Sequence, residues 1–80
     1  MSVRVLLFAS YADAVGAPEI EVDVPDGTTV GDLVAAVRAR HGSDRLPSAP
    51  LVAVNQRYAG PETPVTAADE VAIIPPVAGG

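Results

Sequence analysis

Residues 19–42 read EIEVDVPDGTTVGDLVAAVRARHG, and the spacing of their apolar positions changes part-way through. From Glu19 to Val24 acid and aliphatic residues alternate, with Ile20, Val22 and Val24 on one side and Glu19, Glu21 and Asp23 on the other. This period of two belongs to a strand with one dry face and one wet, acidic face. Pro25 stops it, and Asp26-Gly27 turns the chain. Thr29 then stands three residues before Asp32, a variant of the capping box. Val30, Leu33, Val34 and Val37 follow at the spacing of one helix face. Arg38 and Arg40 lie where cations suit the helix dipole, and Gly42 closes the segment. The pattern predicts a helix over residues 30–41.

Working outward, SVRVLLF (2–8) has the length and branched side chains of a strand. ASYADAVG (9–16) predicts a helical turn or two capped by Gly16, a link short enough for strands 2–8 and 19–24 to pair antiparallel. GSDRLPSAP reads as loop, LVAV (51–54) as a short buried strand, NQ as a turn and RYA as a short return strand. GPETPVTAADE is a loop broken by Pro61 and Pro64, and EVAII (70–74) is a final strand ended by Pro75. This order predicts an α+β fold: a ubiquitin-like β-grasp whose mixed sheet carries one main helix across one face. Residues 1–74 form that domain, and 75–80, PPVAGG, form a projecting, flexible tail.

One helix covers only one face of a sheet, which puts the other face in question. In the first strand Val3, Val5 and Leu7 oppose Arg4, Leu6 and Phe8, and in the last Val71 and Ile73 oppose Ala72 and Ile74. Both faces turn apolar towards the C-terminal ends of these strands. Either loops cover the second face or it is a partner surface built from Phe8, Ile74 and their neighbours.

Eighty residues suffice for one small domain, and 49% of them are hydrophobic, enough for a core. The five basic residues are all arginine, set against ten acids, for a net charge of −5. That balance argues against nucleic-acid binding and suits a basic partner surface. The absence of cysteine leaves no disulfide, no thiol nucleophile and no thiolate metal site. No stretch approaches a membrane span or a cleaved leader, so a cytoplasmic location is expected.

Constellations for catalysis are missing. His41 is the only histidine and sits at a helix end, where surface exposure and the dipole account for it. Asp69 and Glu70 are adjacent at the turn and entry to the last strand, and neighbouring strand residues point to opposite faces. Ser10, Ser43 and Ser48 lack a nucleophile-elbow context, and no Gly-rich loop follows a strand. The chain is not expected to be an enzyme alone or to bind a cofactor or metal. What remains is the tail. A carboxylate on Gly80 is a poor acyl donor and needs activation, for instance as an acyl-adenylate made by a separate ATP-using protein. Glycines suit a narrow channel because they lack a β-carbon, and Pro75 and Pro76 stiffen the base of the tail.

Along its length, in VLLFASYADAVG, TVGDL, AVNQ and above all DEVAIIPPVAGG, the chain resembles the small subunit of molybdopterin synthase, the MoaD-type sulfur carriers. The resemblance implies that Gly80 is adenylated by an E1-like enzyme (MoeB-type), which consumes ATP, and becomes a thiocarboxylate. The tail, from Pro75 and Pro76 through Val77, Ala78 and Gly79, would then enter a large subunit (MoaE-type). There its sulfur builds the dithiolene of molybdopterin from cyclic pyranopterin monophosphate, in a heterotetramer whose catalytic side chains belong to the large subunit. Phe8, Tyr58 and Ile74 fall where members of that family meet their partners, which favours the partner-surface reading of the second face. Departures are Ala12-Asp13, where many members carry Arg-Glu, and Ile73-Ile74, where many carry aromatics. The alternatives are another sulfur carrier, serving thiamine, cysteine or tRNA thiolation, and a ubiquitin-like protein modifier.

Overall fold

The computed structural model describes residues 1–41 and 46–76. In chain order the elements are β1 (Ser2–Leu7), α1 (Ala9–Val15), β2 (Glu19–Asp23), α2 (Val30–His41), β3 (Leu51–Val54), β4 (Arg57–Tyr58) and β5 (Glu70–Ile74). The strands form one mixed sheet in the order β2-β1-β5-β3-β4. β1 pairs antiparallel with β2, Val5 opposite Ile20, and parallel with β5, Val5 opposite Val71. The first and last strands therefore lie side by side in the middle of the sheet, running the same way.

The helix of residues 30–41 forms as its spacing predicts. Its start is a reciprocal cap: the Asp32 amide donates to Thr29 Oγ1 (3.3 Å), and the Thr29 amide donates to Asp32 Oδ2 (3.4 Å). Two further free amides at this end find partners in the loop before β5, Val30 N–H on the Thr63 carbonyl (2.8 Å) and Gly31 N–H on that of Pro61 (2.9 Å). Val30, Leu33, Val34 and Val37 are buried and pack with Val3, Val5, Leu7, Val22, Val52, Val71 and Ile73 in one core. Each buried aliphatic side chain contributes about 1.5–3 kcal/mol relative to leaving it exposed. Every strand residue in that set belongs to the inward side of its strand. The main helix thus covers one face and leaves the other open.

Two readings need correction. The first strand ends at Leu7, one residue short of the expected Phe8, because Ala9 takes a positive φ of 49° and turns the chain out of the sheet. Phe8 becomes the N-cap of α1, which seats Tyr11 in the core and closes on left-handed Gly16. The segment 51–54 is not buried throughout: Val52 points into the core, whereas Leu51 is 45% exposed. The loops also supply core residues, for Leu46 and Val65 are buried with the helix and sheet.

Candidate functional site

The open face of the sheet changes character along the strands. At the N-terminal ends of β1 and β5, Arg4 lies opposite Glu70 on one side and Glu21 on the other. The Arg4 guanidinium donates to Glu70 Oε2 at 3.3 Å and lies 3.9 Å from Glu19 Oε1. Towards the C-terminal ends the same face is apolar. Leu6 lies opposite Ala72, Ala72 opposite Ala53, and Ala53 opposite Tyr58, a row crossing four strands. Ile74, opposite Leu51, extends the apolar surface one step further along β5.

Phe8, Ala53, Tyr58, Ala72 and Ile74 line an open depression of about 430 Å³, with Gln56 and Glu70 completing it. Phe8 is 48% exposed and Tyr58 74%, high values for aromatic side chains. Phe8, just after β1, Tyr58 on β4 and Ile74 on β5 therefore meet in one place. Pro75 and Pro76 follow Ile74 directly, half-buried and exposed respectively. Val77, Ala78, Gly79 and Gly80 lie outside the described residues. Ala12 and Asp13 stand elsewhere, on α1 beside Gly16 and Pro18.

Leu51 and Gln56 belong to this surface and were missed. Both were within reach of the β3–β4 hairpin. Its two-residue link, Asn55-Gln56, has φ of 52° and 70°, the pair of positive values that a type I′ turn requires. That turn fixes Ala53 opposite Tyr58, and the alternation then puts Leu51 on the face of Tyr58.

A side-chain clip ties the hairpin to the start of β5. The Asn55 amide group donates to Asp69 Oδ1 (2.8 Å), while Asn55 Oδ1 accepts the Glu70 amide (2.9 Å). Asp69 Oδ2 also accepts the Thr66 amide at 2.8 Å. The Asn55 bond first, and then that of Thr66, hold the Asp69 carboxyl below its ordinary range. Among the described residues no group of three or more His, Cys, Asp or Glu side chains could hold a metal ion, and no helix is long and apolar enough to cross a membrane.

An apolar sheet face beside the last strand, leading into a diglycine segment, is what comparison with known proteins meets. A model described as the ThiS family matches residues 5–80. The chain belongs to the ThiS family. It is 39% identical to the molybdopterin synthase sulfur carrier subunit of Mycobacterium tuberculosis, over 100% of this chain and 99% of that one. To the subunit of the same name from Chlamydomonas reinhardtii it is 36% identical over the full length of both. Among solved structures, SAMP1 from Haloferax volcanii superposes with a TM-score of 0.83 at 34% identity, covering all of both chains. The complex of subunits 1 and 2 of the molybdopterin-converting factor from Helicobacter pylori gives a TM-score of 0.69 at 21% identity, again over both chains, and shares the fold.

Proposed function

We propose that this chain is the sulfur carrier subunit of a molybdopterin synthase. The observation that carries the reading is the meeting of Phe8, Tyr58 and Ile74 on the uncovered sheet face, immediately before the segment PPVAGG. One surface positions the domain on a partner, and the chain leaving that surface delivers the reacting group.

In this reading the Gly80 carboxylate attacks the α-phosphorus of ATP on an E1-like adenylating enzyme, and pyrophosphate leaves. A sulfur nucleophile then attacks the acyl carbon and expels AMP, leaving a thiocarboxylate. The domain next docks on the large synthase subunit, the two forming a heterotetramer. Its tail reaches the large subunit's active site, where the thiocarboxylate gives its sulfur to the nascent dithiolene and water restores the carboxylate. This chain contributes reach and placement: a stiff Pro75-Pro76 base, small residues that thread a narrow channel, and an apolar face that fixes the origin of the tail. This reading places the reaction in the cytoplasm.

Intact mass spectrometry of the protein recovered from cells tests the reading. Replacement of one oxygen by sulfur at the C-terminus is expected, and its appearance should depend on the adenylating enzyme and ATP. A chain found only as the free acid while the pathway is active, or joined by Gly80 to lysines of other proteins, would overturn it in favour of another role.

A further inference from the structure

Of the two left-handed residues in the β3–β4 turn, Asn55 is suited to its place and Gln56 is not. Asparagine tolerates positive φ, and the Asn55 side chain holds Asp69 and Glu70. At the second central position of such a turn glycine is the favoured residue, because any side chain there is strained. Gln56 nevertheless holds φ at 70° and is exposed, and among the described residues its amide group makes no hydrogen bond. The fold gains nothing visible from this side chain and bears its strain. Yet Gln56 lines the depression with Phe8, Tyr58 and Ile74, where the other polar residue, Glu70, is already paired with Arg4.

We infer that Gln56 is a specificity-determining residue of the docking face, its amide hydrogen-bonding a main-chain group of the large subunit across the apolar contact. The inference rests on the docking reading proposed above. Apolar surfaces attract many partners and orient none. A polar group set among them rejects any partner that fails to pair it, because the group would then be buried unsatisfied. An amide carries both donor and acceptor and suits a main-chain edge of either polarity.

The test uses the full chain and its large subunit, with affinity read by calorimetry and stability by thermal unfolding. Gln56→Gly removes strain and amide together. Gln56→Met keeps length, apolar area and strain while losing the amide. Both should bind about tenfold more weakly, the loss expected when one buried partner group goes unpaired. Gln56→Gly alone should unfold at a higher temperature, an outcome that separates recognition from structural damage. Parental affinity in both variants overturns the inference, and parental affinity in Gln56→Met alone reduces the contact to packing and overturns the hydrogen bond. Phe8→Asp serves as the control. If it too binds normally, the docking reading itself fails; if it abolishes binding while the Gln56 variants do not, only the role of Gln56 falls.

Discussion

Leu51 and Ile74 face each other as the last residue pair between β3 and β5, on the side of the sheet that the main helix leaves uncovered. Leu51 opens β3 and is 45% exposed, whereas Ile74 is half-buried in the depression. Leu51→Asp should therefore alter the stability of the free domain by no more than about 0.5 kcal/mol, as for an ordinary surface site. Binding to the large subunit should weaken by about 2 kcal/mol or more if the residue sits within the contact. Calorimetric titration beside thermal unfolding separates the two quantities.

Phe8 offers a sharper version. It is the N-cap of α1 with extended backbone angles and no capping side chain. Aspartate is among the preferred residues there, so Phe8→Asp exchanges an exposed aromatic for a helix cap. The free domain should unfold at the same or a higher temperature, while docking is lost. A variant that is destabilised would show that Phe8 supports the fold.

The tail tests the chemistry. Deleting Gly80 shortens the reach by roughly 3.5 Å, and a misplacement of about 1 Å can cost a hundredfold in rate. Deletion, or addition of an alanine after Gly80, should abolish thiocarboxylate formation and leave docking nearly intact. Gly79→Ala should be milder, since it adds bulk without moving the reacting carbon. ATP-dependent thiocarboxylate formation, measured by mass, ranks the three.

The Asn55–Asp69 clip makes stability depend on acid. Because folding lowers the Asp69 carboxyl below its ordinary value, the contribution of the bonds this carboxylate accepts is complete above the ordinary carboxylate range and is lost as pH falls from there through the lowered value. Asn55→Gly keeps the left-handed turn and removes both side-chain bonds, at a cost of about 1–3 kcal/mol at neutral pH. Denaturant titrations across the acid range should show the parent losing its advantage over this variant as pH falls. A difference that stays constant would assign the loss to the Glu70 amide bond alone.

Gly31 should resist the usual helix improvement. An exposed helical Gly→Ala change ordinarily gains about 1 kcal/mol. Here a β-carbon would stand 3.2 Å from the Pro61 carbonyl oxygen and 3.3 Å from Pro61 Cβ. That loop cannot retreat without stretching the Gly31–Pro61 and Val30–Thr63 bonds. Gly31→Ala should lower the unfolding temperature, readable by circular dichroism.

Periodicity made most of the fold legible. The switch from period two to 3.6 across residues 19–37 is enough to place β2, the turn and α2, and alternation in β1 and β5 exposes the second apolar face. Leu46 and Val65 escaped because each is a lone apolar residue in a loop, where burial depends on how the loop lies over the core. Phe8 was placed in the strand because nothing local forces Ala9 to positive φ. At the site, Tyr58 was legible through family resemblance and Ile74 through alternation as well. Leu51 was not, since a four-residue apolar run has no resolvable period until the hairpin sets its register.

The parallel pairing of β1 with β5 also decides how the domain responds to being pulled. β5 is held on both sides, by β1 and by β3, and the segment that partners would grip continues from its end. Traction on that segment loads the β1–β5 and β3–β5 ladders along their length, so the hydrogen bonds resist together in shear. Any partner that grips the chain beyond Ile74 therefore pulls on the end of a strand that is paired on both sides.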